Sequence, residues 1–381
     1  MLSFGVIGCG SIGGLTSRLL SGQDERSAAA FAGRAVLAGV AARTPQSAKQ
    51  LADELGVTAE SVSGLLRRSD IDAVCVCTPS GTHADIAVRA LEAGKHVLVE
   101  KPIDVDCAAA DRLIAVSERT GLTLGVISQC RFTPAAVAAH RAIGNGALGR
   151  ITSLLVEVPY WRSMSYYSAS DWRGTRSLDG GGALVNQGVH YLDLAQWLAG
   201  PVTEVSAHSA VLAHEGIEVE DTISASLRMA NGALGTLLAS TAAYPGREAR
   251  VSVQGDRGSL VIEGDRLTYF HTSVDAESND VGAYGAYGAQ NQVARLTAVT
   301  AEQRAAEDDR DRTGQPRQPH RAQILDFCRA VETGGRPIVD GQSARQTLAV
   351  VQAMYRSARE RQPVRVASPC SESGTLSAGN V

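Results

Sequence analysis

Residues Gly8-Cys9-Gly10-Ser11-Ile12-Gly13 follow the apolar run Leu2–Ile7 and precede a helical pattern. Glycine at three of these positions suits a dinucleotide pyrophosphate. Gly8 permits a tight turn out of a strand, and Gly10 lets bare main chain approach the phosphates. Gly13 lets the helix pack on the sheet, with the N-terminal N–H groups, those of Ser11 and Ile12 among them, facing the anion. Glycine-rich turns are common, but here the strand before and the helix after supply the context that the pattern needs.

Two further clusters fall at the same edge. Thr78-Pro79-Ser80-Gly81-Thr82-His83 ends a buried strand. In a doubly wound sheet ligands sit beyond the carboxyl ends of the strands, so Thr78, Pro79 and His83 are expected at the cofactor. Glu100-Lys101-Pro102 follows the next strand. A lysine held beside an electropositive nicotinamide and partly desolvated has a lowered pKa, which suits it to proton transfer. Taken singly, the first cluster also reads as an ordinary turn and the second as a surface lysine ahead of a proline.

The fourth cluster runs from Asp179 through Gly180-Gly181-Gly182 to Asp193. A helix over Ala183–Leu198 puts Asn186, His190 and Asp193 at i, i+4 and i+7, on one face. A single histidine would read as a structural residue, but a polar stripe in an otherwise apolar helix reads as a site. No second His or Cys stands at ligand spacing, so a metal is not expected.

The elements that must position these residues divide into two textures. Over 1–128 the candidate strands Leu2–Ile7, Ala35–Ala41, Ala73–Cys77, His96–Val99 and Thr123–Ile127 are short and almost uniformly apolar, as in a parallel sheet buried on both faces. Helical patterns lie between them. Thr44-Pro45 opens one over Gln46–Leu55, and Thr82 stands as the cap of His83–Glu92. Alternating βα units predict a doubly wound α/β domain.

From 129 to 367 the strand-like segments Ile151–Val158, Val202–Ala210, Thr222–Arg228, Ala233–Ser240, Ala249–Gln254, Ser259–Glu263 and Leu267–Phe270 include several that alternate. Asn231-Gly232 marks a hairpin. This half reads as a second domain with a large open, mainly antiparallel sheet. Val274–His320, with its repeat Gly282–Tyr287, reads as a loop or mixed loop and helix, and 368–381 as a disordered tail.

The chain has 381 residues, 44% hydrophobic and 20% charged, which suits a two-domain globular protein. Its net charge of −4 argues against general nucleic-acid binding. No run approaches the ~18 apolar residues of a membrane span, and the first apolar run is already a strand, not a leader. Seven scattered cysteines, with Cys75 and Cys77 on one strand face, fit a reducing cytoplasm.

These four clusters, in this order, resemble the Gfo/Idh/MocA oxidoreductase family. The likeness extends from Phe4 to about Arg365 and includes Leu124–Phe132, with Gln129, at the domain junction and Arg321–Phe327 near the end. It implies an N-terminal Rossmann domain and a C-terminal α/β domain whose sheet often joins copies, here a homodimer or homotetramer. It also implies NAD(P)-dependent hydride transfer at a secondary alcohol or ketone of a sugar, nucleotide sugar or cyclitol. By position, Lys101 matches the lysine that binds the reacting hydroxyl, Glu100 a residue near the nicotinamide ribose, and His190 the proton donor or acceptor. Gln129 is placed with the cofactor contacts. The two rival readings are an inactive dinucleotide-binding sensor or scaffold, and a reductase of a non-sugar carbonyl or imine.

Two departures stand out. Many members carry Asp where this chain has Asn186, and an amide cannot usefully accept a proton at neutral pH. Asn186 is therefore expected to orient substrate while Lys101 and His190 move the proton. The second strand ends Ala41-Ala42-Arg43-Thr44 with no acid to bind a ribose 2′-OH. Arg43 and Thr44 instead suit a 2′-phosphate, so NADP(H) is favoured, with NAD(H) the alternative. Substrate contacts are expected from Arg162, Tyr167, Trp172 and Arg173, in a stretch that also holds Tyr160, Trp161 and Tyr166 in a chain only 4% aromatic. Aromatic rings stack on sugar faces, and Arg binds hydroxyls, carboxylates or phosphates; the same cluster would also suit an interface between copies.

Overall fold

In the computed structural model, which describes residues 1–273, 291–311, 314 and 316–367, two sheets organise the chain. The first holds β1 (Leu2–Ile7), β2 (Ala35–Ala41), β3 (Thr58–Glu60), β4 (Ala73–Val76), β5 (His96–Val99) and β6 (Leu124–Val126) in the order β3-β2-β1-β4-β5-β6, all parallel. The strand order reverses between β1 and β4, which opens a crevice beyond their carboxyl ends. β4 is buried along its whole length, which explains its uninterrupted apolar sequence. β3 was not expected from the sequence: it is a three-residue edge strand, half exposed, with no apolar run to betray it.

The second sheet holds β7 (Ile151–Pro159), β8 (Val202–Ala210), β9 (Thr222–Met229), β10 (Leu234–Ser240), β11 (Arg250–Gly255), β12 (Gly258–Glu263), β13 (Arg266–Thr272) and β14 (Val364–Arg365). Their order is β13-β12-β11-β7-β10-β9-β8-β14, antiparallel except where β7 meets β10. One face packs helices Pro134–Gly144, Val189–Ala199 and Gly341–Glu360 over a core that includes Leu154, Val156, Leu192, Leu237 and Met354. The other face is open and leaves Leu155, Leu234 and Leu238 exposed. The β9–β10 turn forms at the expected dipeptide, but only Gly232 takes a positive φ (88°), while the Asn231 side chain accepts the Ala233 N–H at 3.1 Å.

Several local expectations are revised. Pro45 opens helix Pro45–Leu55, yet Thr44 makes no side-chain capping bond. A 3-10 turn, Ser80–Thr82, precedes His83–Glu92, and the Thr82 hydroxyl donates back to Pro79 O at 2.7 Å instead of capping. The helix foreseen over Ala183–Leu198 begins as a π-helical turn, Leu184–Gly188, and becomes α-helical only at Val189. The wider turn falls between Asn186 and His190 and rotates Asn186 relative to the histidine, while His190 and Asp193 keep α-helical register and Asp193 stays out of the main cleft. Asp193 instead receives Arg131 Nε at 2.6 Å, Thr347 Oγ1 at 3.0 Å and the Ser128 hydroxyl, all buried at the junction of the sheets.

The late helix Gln318–Thr333 returns to the first sheet. Phe327 is fully buried there, 6.1 Å from the ring of Phe4, with Ile324 and Cys328 in the same core. The repeat Gly282–Tyr287 and the tail from Ser368 lie outside the described residues. Among the described residues, no helix is long and apolar enough to cross a membrane.

Candidate active site

A cleft of about 1310 Å³ runs along the carboxyl edge of the first sheet and under the second. Its floor is the β1 turn. Gly8 has φ 104°, and a Cβ there would lie 2.2 Å from Cys77 O; one on Gly13 would lie 1.7 Å from Gly8 O. These two glycines are demanded by packing. A Cβ on Gly10 would meet nothing within 4 Å, so this residue faces open cleft. Helix Ser11–Ser21 starts here without a side-chain cap, leaving its first-turn N–H groups to an anion. Arg43, Thr44 and Ser47 line the cleft beyond β2. The set fits a dinucleotide: the uncapped helix start would hold an anionic pyrophosphate, and Arg43 and Thr44 would be within the cleft for the far end of the group.

The loops after β4 and β5 are tied together. His83 is 1% exposed, and its ring stands between Pro102 O (2.7 Å to Nδ1) and Thr78 O (2.8 Å to Nε2). Its polar atoms are therefore spent on the backbone, and it braces the two loops while its ring lines the cleft. Thr78 and Pro79 also line the cleft, as does Gln129, whose buried Oε1 has no partner.

Glu100, Lys101, Asn186 and His190 meet where the two sheets face each other. Lys101 Nζ donates to Asn186 O at 3.1 Å, and Glu100 Oε2 accepts the Lys101 N–H at 3.0 Å. Burial pushes the Glu100 carboxyl up to about 7 despite the neighbouring lysine. Burial lowers the Lys101 ammonium, while Glu100 and Asp179 draw it back up. His190 is held well below the ordinary histidine range, first by burial and then by the Lys101 charge. It is accordingly a neutral imidazole at pH 7, and its buried Nδ1 has no hydrogen-bond partner. A neutral base with an unused ring nitrogen beside a lysine of reduced basicity has the makings of a proton-transfer pair.

Asn186 does not point at the histidine. Its Nδ2 donates to Asp179 Oδ1 at 2.9 Å and to Gly181 O at 3.2 Å, while Asp179 Oδ2 accepts the Gly174 N–H at 2.8 Å. Asp179 is fully buried, and burial raises its carboxyl. Its partnership with Asn186 was not foreseen, because the bond crosses the glycine run. That run is itself explained by a remote residue: Glu220 accepts the N–H groups of Gly182 and Leu184, each at 3.0 Å, and a Cβ on Gly182 would lie 1.7 Å from Glu220 O.

Of the expected substrate contacts, Arg162, Trp172 and Arg173 line the cleft. Tyr167 does not: it is 5% exposed, with its hydroxyl on Thr241 Oγ1 at 2.8 Å. The helical turn Met164–Ser168 sends Tyr167 into the core and its neighbour Tyr166 to the cleft. The far wall adds Arg247, Asp265, Arg310 and His320, which no local motif marks. Burial lowers His320 to about 4.

Comparison with known proteins matches both halves of the chain. Residues 2–128 match the oxidoreductase family described as an NAD-binding Rossmann fold, and residues 136–261 match the GFO/IDH/MocA C-terminal domain. Inositol 2-dehydrogenase of Rhizobium meliloti (strain 1021) is 27% identical over 371 residues, covering 96% of this chain and 99% of that protein. Levoglucosan dehydrogenase of Pseudarthrobacter phenanthrenivorans is 29% identical over 63% of this chain and 68% of its own. The WlbA dehydrogenase from Bordetella pertussis, solved in complex with NADH and UDP-GlcNAcA, superposes with a TM-score of 0.82 at 28% identity, covering 96% of this chain and 98% of that one. With both halves matched and the four clusters gathered at one cleft, the chain belongs to the GFO/IDH/MocA family of NAD-binding oxidoreductases.

Proposed function

We propose that the protein transfers a hydride between a nicotinamide dinucleotide and a secondary alcohol or ketone of a sugar, nucleotide sugar or cyclitol. The observation that carries this reading is the meeting of Lys101 and His190 at the carboxyl edge of the dinucleotide sheet, beneath a cleft lined by Tyr and Trp rings. When bound, the nicotinamide supplies the hydride acceptor. Lys101 holds the reacting hydroxyl oxygen by donating from Nζ, which Asn186 O orients. His190, neutral at pH 7, takes the hydroxyl proton in oxidation and returns one in reduction. Asn186 carries no proton; it ties the lysine's acceptor to Asp179.

We place NADP(H) ahead of NAD(H), because Arg43 and Thr44 stand at the end of β2 where an acid would otherwise repel a 2′-phosphate. Copies of the chain are placed against one another through the open face of the second sheet, where Leu155, Leu234 and Leu238 are exposed. The test of the chemistry is a pair of substitutions. Lys101→Ala and His190→Ala should each lower kcat by ~10²–10⁴-fold on a substrate found in a cyclitol and sugar panel, with dinucleotide affinity unchanged. Near-normal turnover in both variants would overturn the assignment.

A further inference from the structure

Two guanidinium groups in the cleft have no carboxylate partner among the described residues. Arg162 donates to Trp161 O at 2.9 Å and Gln187 Oε1 at 3.3 Å, and Arg173 to Tyr166 O at 3.3 Å; all of these acceptors are uncharged. Arg173 Nε is buried and bonded to nothing. The two groups flank one ring: the Arg173 guanidinium carbon lies 4.4 Å and that of Arg162 5.5 Å from the Tyr166 centroid. Stacking on Tyr166 orients both planes and leaves several N–H donors with no protein acceptor.

The carboxylates nearby are already engaged. Asp179 holds Asn186 and the Gly174 N–H, Asp265 pairs with Arg310 at 3.0 Å, and Glu248 with Arg266 at 3.3 Å. Lys101 adds a third cation close enough for Arg173 to depress its basicity. Of the nearby carboxylates Asp179 lies within electrostatic reach of both Lys101 and Arg173, and Arg162 has no such partner among the described residues, so the three cations keep an excess of positive charge that an anion would balance.

We propose that Arg162 and Arg173, stacked about Tyr166, form a subsite for an anionic group of the substrate, a carboxylate or phosphate carried on the sugar or cyclitol. This rests on the dehydrogenase reading above and narrows it: the preferred substrate is a sugar acid, sugar phosphate or nucleotide-linked sugar and not a neutral polyol. Charge-assisted, forked bonds to Arg are the strong class of hydrogen bond.

The experiment reads binding without turnover. Protein saturated with NADH is titrated with glucose, glucuronate, glucose 6-phosphate and UDP-glucose, followed by calorimetry. At least one anionic probe should bind about 10- to 100-fold more tightly than glucose, and which one does so separates carboxylate from phosphate. Arg173→Gln and Arg162→Gln, checked for an unchanged melt and NADH affinity, should each erase most of that advantage, so that the ratio of anionic-probe to glucose affinity falls toward one. Arg173→Lys should recover only part, because it keeps the charge and loses the stack and Nε. The proposal is overturned if no anionic probe outbinds glucose, or if the preference survives both glutamine variants. Failure of the dehydrogenase reading would look different: anion selectivity would persist in a protein that oxidises no polyol.

Discussion

Replacing Asn186 with Asp changes one atom in the chemistry of the site, and its effect follows from the Asp179 contact. In the wild type, Nδ2 donates to Asp179 Oδ1 at 2.9 Å. In Asn186→Asp two carboxyl groups face each other where a donor and an acceptor stood. Like charges 4 Å apart at an effective dielectric of 20 repel by about 4 kcal/mol, a preference of roughly a thousandfold for the pair that keeps one proton. A thousandfold preference moves the loss of that proton from near pH 4 to about pH 7, so below neutral pH the pair shares a proton and the net charge near His190 stays that of the wild type. A simple reading, in which the new carboxylate raises the histidine, fails for this reason. Retaining that proton is a stability statement. Because the folded pair binds a proton that the unfolded chain releases near pH 4, the variant should match the wild type in acid. It should then lose about 1.4 kcal/mol per pH unit above that point, until the loss reaches about 4 kcal/mol. Urea unfolding from pH 4 to 8 measures this. The exchanged variant Asp179→Asn with Asn186→Asp restores one amide and one carboxylate. It should recover most of the stability, with a coupling energy above ~1.5 kcal/mol in the double-mutant cycle. A pH-independent loss, or an exchanged variant as weak as the sum of the singles, refutes the reasoning.

Three further outcomes are expected. Arg43→Asp should move the NADPH/NADH ratio of kcat/KM by at least about tenfold toward NADH, the value of one lost charge-assisted bond; an unmoved ratio removes Arg43 from the cofactor site. Burial holds His190 below the ordinary histidine range, so the acid limb of the oxidative kcat/KM profile should fall below pH ~6.5, since the base must be neutral and stays so to lower pH. A limb at or above that value assigns it to another group. Leu238→Asp, on the open sheet face, should shift the protein toward smaller assemblies in sedimentation, with the melt of the individual chain little changed.

Most of the first sheet was legible because parallel strands buried on both faces write continuous apolar runs, and because their carboxyl-end loops carry Gly, Thr-Pro and Glu-Lys-Pro at fixed places. β3 escaped for the opposite reason: an edge strand of three residues has no face to bury. Within the site, Gly8 and Gly10 at the β1 turn were readable from local context, whereas Lys101 taken alone also read as a surface lysine and was singled out by the order of the four clusters and the family resemblance. Tyr167 was misplaced because a helical turn decides which of two adjacent tyrosines faces the cleft, and spacing does not say which. The one-face stripe of Asn186, His190 and Asp193 was misread because the π-helical turn, which starts where Glu220 accepts the N–H groups of Gly182 and Leu184 from 38 and 36 residues away, is invisible to a period of 3.6. His83 took its role from Pro102, 19 residues along the chain, and Asp179 from Asn186, 7 residues away across the glycine run.

Helix Gln318–Thr333 has a consequence for modularity. Phe327 fills the space under Phe4, and Gly125 stands against the same ring, where a Cβ would lie 2.9 Å from it. The dinucleotide sheet thus borrows part of its cover from a segment almost two hundred residues downstream. A chimera cut at residue 128 would carry the whole glycine fingerprint and still expose Phe4, so a cofactor half transplanted between relatives has to bring this helix with it. The chain is two sheets in space but an interleaved unit in inheritance, and recombination that respects the sheet boundary alone would be expected to yield aggregated protein.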